Sequence, residues 1–84
     1  MSHRASKRFW RNFNELSPEI QQLARDNYEL LKSNPQHPSL HFKHLGKYWS
    51  VRIGLSYRAV GYNVPQGILW FWIGTHEEYN RLFT

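Results

Sequence analysis

The chain has 84 residues, which is enough for one small domain over residues 1–84 and too few for two. Hydrophobic residues make up 40% of it and aromatic residues 17%, which excludes a disordered chain because such chains lack the apolar side chains of a core. The sequence has no cysteine, which excludes disulfides and thiolate metal sites, and its formal charge of +5 favours an anionic partner.

The first part of the chain predicts two helices joined by a short link. Apolar residues recur at the spacing of one helix face: Phe9, Phe13 and Leu16. A second helix starts after Ser17, a good N-cap followed by proline, and runs to about Ser33, after which two prolines end it. The short link predicts an antiparallel helical hairpin, and residues 1–7 before it show no strand pattern.

After Pro38 the apolar pattern changes from a period of 3.6 to a period of 2. Four strands are predicted, at residues 40–45, 48–53, 57–63 and 68–74. A capping box from Thr75 to Glu78 then begins a short C-terminal helix. The predicted fold class is α+β, with an N-terminal helical hairpin packed on a small, about four-stranded antiparallel sheet.

Acidic residues are absent from a long central stretch, residues 30–76. That stretch holds five lysines or arginines and four histidines. A segregated basic surface is typical of proteins that bind a polyanion or an acidic protein, although it can also be a solvated face without a partner.

No part of the sequence predicts a membrane segment. The longest apolar run, residues 68–73, is too short to cross a bilayer, and the first ten residues lack the apolar region of a signal peptide. We therefore expect a soluble protein of the cytoplasm.

Two arginines, one on each strand, lie in the middle of the hairpin formed by the second and third predicted strands. If residues 54–56 form a three-residue loop, Arg52 lies directly opposite Arg58 on one face of the hairpin. Like charges in that position are destabilising, unless the face is open and an anion such as phosphate lies between them. The alternatives are arginines that extend from a sheet edge or pair with Glu77 and Glu78, and another loop length would place them on opposite faces.

Alternation along the last strand predicts a core face of residues 69, 71 and 73, and a second face with Ile68, Trp70 and Trp72. Exposed tryptophans beside cations could stack on bases, but packing is the commoner use of tryptophan in a small domain. His41 and His44 form an H-x-x-H pair, a spacing that some metal ligands have. No cysteine or acid lies near them in the sequence, so we predict no metal site.

Three segments resemble the RelE/ParE superfamily of bacterial type II toxins: NPQHPSLHFKHL, YWSVRIGLSYRAVGY and WFWIGTHEEYNRLF. The resemblance extends from about Phe9 to Phe83. It implies two helices on a curved antiparallel sheet, no cofactor, and a cognate acidic antitoxin that covers the basic surface. RelE-like members cleave mRNA on the ribosome without a metal, with the 2′-hydroxyl as nucleophile, whereas ParE-like members poison DNA gyrase.

The resemblance also implies roles for particular residues. Arg58 matches the arginine that stabilises the transition-state phosphate, and Arg52 matches a second basic strand position. His76 lies where RNase members have a general acid, which could protonate the leaving 5′-oxygen. Four neighbours are expected to contact the substrate: Lys43, Lys47, Tyr48 and Tyr79.

Two features depart from the family pattern. Residues 1–7 lack the usual first strand, and no residue is clearly placed as general base, since Ser39 and Ser50 stand where some relatives have a carboxylate or lysine. Lys43, His41 and His44 all remain candidates. The favoured function is a ribosome-dependent mRNA endoribonuclease toxin. The alternatives are a non-catalytic ParE-like toxin that binds gyrase, and a degenerate toxin that only binds RNA or antitoxin.

Overall fold

The structure is a computed structural model that describes residues 2–84. Its elements in chain order are β1 (Ser2–Ala5), α1 (Lys7–Asn14), α2 (Pro18–Ser33), a 3₁₀ turn (Pro38–Leu40), β2 (Lys43–Leu45), β3 (Tyr48–Ile53), β4 (Tyr57–Val64), β5 (Gly67–Thr75) and α3 (His76–Phe83). The strands form one sheet in the order β1-β5-β4-β3-β2. β1 runs parallel to β5, and the other neighbouring strands are antiparallel. The α+β class is therefore confirmed.

The expectation of four strands, all antiparallel, with no strand in residues 1–7 is wrong. β1 adds to the edge of β5 through backbone hydrogen bonds, such as the one from Ser2 N to Gln66 O at 3.0 Å. Gly67 makes this close approach possible, because its φ of 153° and its missing side chain leave room for the backbone of Ser2. Pairing of this kind needs no apolar alternation, so the sequence pattern did not reveal it. Met1 lies outside the described residues.

The second helix begins where the sequence places it, after Ser17, whereas the start of the first helix was not predicted. Ser6 and Ser17 are the N-caps of α1 and α2, and the side-chain oxygen of each accepts a backbone N–H three residues later. The helices follow β1, however, so they are not N-terminal as predicted. α1 packs on β5 and α2 on β3, and the Gln21 amide joins them by donating to the carbonyl oxygens of Phe13 and Leu16.

Only the second half of the first predicted strand, residues 40–45, is a strand. The 3₁₀ turn Pro38–Leu40 inserts the fully buried Leu40 into the core, and His41 then adopts a left-handed conformation with φ of 43°. A residue in that conformation cannot continue a strand, so β2 is limited to Lys43–Leu45.

The hairpin of β3 and β4 has the predicted register. Residues 54–56 form the loop, Gly54 has a φ of 61°, and Arg52 lies opposite Arg58. A Cβ at Gly54 would lie 2.5 Å from Leu23 Cδ2, so the same glycine also allows α2 to pack closely on this turn.

The predicted division of the β5 side chains between two faces is wrong, because a bulge interrupts the alternation along the strand. Val60 pairs with Trp72 but Gly61 pairs with Trp70, so the residue between them has no partner. Trp70 therefore packs with the helices α1 and α2, whereas Trp72 packs with Val60 on the α3 side of the sheet. Both tryptophans are buried, at 6% and 4% exposure, which confirms the packing alternative over base stacking.

Within residues 2–84, none of the helices combines the length and the apolar character that crossing a bilayer requires.

The close approach of β1 to Gly67 can be tested with a matched pair of glycines. Gly46 also has a positive φ, at 61°, but an added Cβ there would meet nothing within 4 Å. We expect Gly46→Ala to lower the free energy of unfolding by about 1–2 kcal/mol, the cost of the left-handed conformation alone. Gly67→Ala should cost more, about 3 kcal/mol, because its Cβ would overlap the Ser2 backbone. Urea unfolding measures both, and equal losses would contradict the pairing of β1.

His3 makes stability depend on pH. Its Nδ1 accepts a hydrogen bond from Trp70 Nε1 at 3.2 Å, and burial, followed by nearby positive charge including Lys32, lowers the pKa of His3 below 6.5. In the unfolded chain His3 gains a proton at about pH 6.5, whereas in the folded protein it does so only at lower pH. The free energy of unfolding should therefore fall as pH drops below 6.5 and level off below the folded-state pKa. His3→Asn should remove this part of the pH dependence in urea unfolding between about pH 5 and 8. An unchanged dependence would show that His3 does not contribute.

Candidate functional site

The centre of the site is a buried arginine with no carboxylate partner. Arg58, on β4, is only 9% exposed, and its guanidinium lies over the Tyr79 ring at 5.0 Å. Its Nη1 donates to Ser50 Oγ at 2.9 Å, and its Nε donates to His76 Nδ1 at 3.1 Å. Within residues 2–84 the one ion pair is Lys32 with Glu29, which is on α2. The interpretation that the arginines pair with acids of the last helix is therefore wrong.

The capping box of α3 explains why Glu78 does not reach Arg58. Its Oε1 accepts from both the backbone N–H and the hydroxyl of Thr75, at 2.9 and 3.0 Å, and these hydrogen bonds lower the pKa of Glu78. The backbone N–H of His76 donates to Ser56 O at 2.7 Å, which attaches the start of α3 to the loop after β3. The cap therefore engages the Glu78 carboxylate, and the start of α3 places His76 beside Arg58.

The hydrogen bond to Arg58 defines the state of the His76 ring. Arginine can only donate, so Nδ1 of His76 must be the acceptor and the ring proton is on Nε2. The ring also stacks on Tyr79, with centroids 6.1 Å apart and an angle of 25° between planes. His76 itself is exposed, so Nε2 can be reached from solvent.

Arg52, half-buried on β3, is held differently from Arg58. Its Nε donates to Gly54 O at 3.0 Å, and its Nη1 is 3.4 Å from His41 Nε2. Each arginine thus has hydrogen bonds to neutral acceptors, and their charges are not neutralised. An anion bound between them would relieve the repulsion of the opposed pair.

The predicted site is less open than expected. α3 covers part of this face of the sheet, because Tyr79 and Phe83 pack against Val60, Trp72 and Tyr48. The prediction of an uncovered sheet face is therefore wrong, although Arg58 and His76 do lie together. Arg58 is buried against Ser50 of β3 and against His76 and Tyr79 of α3.

The four residues expected to contact substrate are divided between two environments. Lys43 is exposed and lies opposite Ser50, so it shares the face of the arginines. Lys47 lies over the Tyr48 ring at 5.5 Å, beside the apolar cluster under α3. Tyr79 is 6% exposed, and its ring packs against the guanidinium of Arg58.

Ser50 belongs to the site, although the sequence indicated only that it stands where some relatives have a carboxylate or lysine. It is 1% exposed and its hydroxyl orients Arg58. The signal was the predicted register, which places a small polar residue on the same face as both arginines.

The described residues hold no group of three or more potential metal ligands. The two histidines of the H-x-x-H pair also diverge. His44 stacks on Trp49 with centroids 4.3 Å apart, whereas His41 contacts Arg52.

An apolar cavity lies away from the arginine face. It has a volume of about 220 Å³ and is formed by α1, α2 and the opposite face of the sheet, with lining residues such as Phe9, Trp10 and Tyr28. Its lining includes none of the site residues described above.

Comparison with known proteins agrees with this architecture. A model of the ParE-like toxin domain matches residues 18–81, from the first residue of α2 into α3. No curated protein sequence matches the chain significantly.

Several solved structures share the fold. The RelB–RelE antitoxin–toxin complex from Methanococcus jannaschii matches with a TM-score of 0.71 at 16% identity, over 96% of this chain and 99% of that one. The isolated E. coli RelE toxin matches with a TM-score of 0.63 at 10% identity, over 94% and 90% of the two chains. The intact E. coli RelBE toxin–antitoxin complex gives 0.62 at 11% identity, over 86% and 92%.

At such low identity these structures show a common fold, and the match to the domain model shows the family. The chain belongs to the ParE-like toxin domain family, and with it to the RelE/ParE superfamily of toxins.

Proposed function

We propose that the protein is the toxin of a type II toxin–antitoxin system and acts as a metal-independent, ribosome-dependent mRNA endoribonuclease. The observation that carries this proposal is Arg58, a buried cation whose hydrogen-bond partners, Ser50 and His76, are both neutral. A phosphodiester is the anion best suited to such a guanidinium, because charge-assisted hydrogen bonds are about twice as strong as neutral ones.

The reaction begins with attack of the 2′-hydroxyl oxygen on the adjacent phosphorus. The P–O2′ bond forms, the P–O5′ bond breaks, and the products are a 2′,3′-cyclic phosphate and a 5′-hydroxyl. Negative charge develops on the phosphate oxygens in the transition state. Arg58 and Arg52, opposed on neighbouring strands, stabilise that charge.

His76 supplies the proton for the leaving 5′-oxygen. In the free protein its Nδ1 accepts from Arg58, so it carries only the Nε2 proton. A bound phosphate takes the place of Nδ1 as acceptor for Arg58, and the freed imidazole gains a second proton that the anion stabilises. Substrate binding thereby creates the acid form of His76.

The proposed partners follow from charge and from the relatives. Two of the structurally similar proteins were solved as antitoxin–toxin complexes, which supports a cognate antitoxin for this chain. The formal charge of +5 and the acid-free stretch 30–76 favour an acidic antitoxin and make the ribosome and its mRNA suitable targets in the cytoplasm.

A second candidate is a toxin that binds DNA gyrase without catalysis. It is favoured by the description of the matching family, which is ParE-like. Such a toxin would have no need of the Arg58 and His76 pair as a proton-transfer and phosphate site.

Arg58→Ala should lower the rate of mRNA cleavage by about 10²–10³-fold, because it removes the main donor to the transition-state phosphate. The matched control is Arg11→Ala, which removes the same charge from an exposed position on α1 and should change the rate little. Primer extension on mRNA after induction measures both. Equal effects of the two variants would point to nonspecific charge rather than to the site.

His76→Ala separates the two candidates. It should abolish growth arrest and cleavage if the protein is an endoribonuclease, since it removes the proposed proton donor to the 5′-oxygen. Growth arrest that survives this substitution, together with inhibition of gyrase supercoiling by the purified protein, would support the gyrase candidate and overturn the endoribonuclease proposal. Circular dichroism melting checks that the variant folds.

A further inference from the structure

His41 occupies an unusual position between the 3₁₀ turn and β2. Its backbone has φ of 43° and ψ of 47°, and its N–H donates to Pro38 O at 3.3 Å. The preceding Leu40 is fully buried and anchors the turn in the core. The left-handed conformation then reverses the chain, so that the His41 ring reaches across to Arg52 on β3.

The contact with Arg52 leaves His41 with an available acceptor. The guanidinium has donors only, so Nε2 of His41 accepts from Nη1 at 3.4 Å and the ring proton is on Nδ1. This distance is at the long end for a hydrogen bond, so the contact is weak and easily exchanged for another donor. His41 is exposed, so such a donor can come from a bound molecule.

The surroundings of His41 favour its neutral form. Desolvation is the largest cause that lowers the pKa of His41 below its usual 6.5. The positive charges of Arg52, Lys43 and Arg58, on β3, β2 and β4, lower it further. The sequence has no acid in residues 30–76 to oppose them. The ring is therefore a neutral base at the edge of a cationic site.

We propose that His41 is the general base that removes the proton from the attacking 2′-hydroxyl. This inference rests on the proposed endoribonuclease function and names the residue that family resemblance left undecided. Arg52 turns from His41 to the phosphate when substrate binds, and Nε2 of His41 then faces the hydroxyl.

The proton balance is complete with two histidines. As the P–O2′ bond forms, the 2′ proton passes to Nε2 of His41. As the P–O5′ bond breaks, His76 gives its proton to the 5′-oxygen. His41 leaves the cycle protonated and His76 neutral, and exchange with water restores both.

The other two candidates fit the role less well. His44 lies opposite Trp49 and stacks on it, and Trp49 adjoins Ser50 on β3, so its side chain is on the opposite face from the arginines. Lys43 is on the correct face, but a lysine ammonium has three donors and no acceptor.

The decisive variant is His41→Asn, because asparagine tolerates the left-handed conformation but does not transfer a proton. Its matched control is His44→Asn, three residues away on the other face. Single-turnover cleavage of mRNA in the A site of programmed ribosomes gives the rate at each pH. We expect His41→Asn to lose about 10²–10⁴-fold and His44→Asn to stay within about two-fold of the unaltered protein.

The pH profile provides a readout that a merely structural role would not change. In the unaltered protein the rate should fall as pH drops through the pKa of His41, below 6.5, and this acid limb should be absent in His41→Asn. His41→Gly, which also suits a φ of 43°, should regain part of its rate when free imidazole is added, whereas Arg58→Ala should not.

The outcomes distinguish this inference from the function on which it rests. Absence of cleavage by the unaltered protein overturns both. Normal cleavage that persists in His41→Asn, equal losses in His41→Asn and His44→Asn, or failure of imidazole to act on His41→Gly overturns the role of His41 and leaves the endoribonuclease proposal standing.

Discussion

Burial of an unneutralised arginine is the constraint around which the rest of this molecule is arranged. A charge in a protein interior is costly unless it is paired or well hydrogen-bonded. Arg58 meets this requirement with two neutral acceptors and the face of an aromatic ring, since a guanidinium over a tyrosine gains cation–π attraction. The arrangement satisfies donors without cancelling charge, so the site retains attraction for an anion.

The helix α3 links the chemistry of the site to the packing of the sheet. Its first residue, His76, is a partner of Arg58, and one turn later Tyr79 both supports that arginine and packs against Val60 and Trp72. The bulge in β5 makes this possible, because it places Trp72 on the α3 side while Trp70 remains in the opposite core. This local irregularity therefore provides part of the surface on which α3 packs.

The two faces of the sheet differ in composition. On one side, α1 and α2 enclose the larger core, and the fold shared with RelE proteins at 10–16% identity depends on such apolar contacts rather than on particular residues. On the other side, the arginines, His41 and His76 form a basic surface. The shared fold therefore says little about the reaction, and the proposed function depends only on the face that carries the arginines.

Local sequence was enough to predict the start of α2, the capping box at Thr75 and the register that opposes Arg52 to Arg58, because each depends on residues a few positions apart or on the length of one loop. It also marked Arg58 and His76 as neighbours through family resemblance. Tertiary structure decided the rest. β1 depends on backbone pairing with a strand more than sixty residues away, the faces of β5 depend on a bulge, and the contact of His41 with Arg52 depends on a buried turn. These features arise from long-range packing, which leaves no periodic trace in the chain.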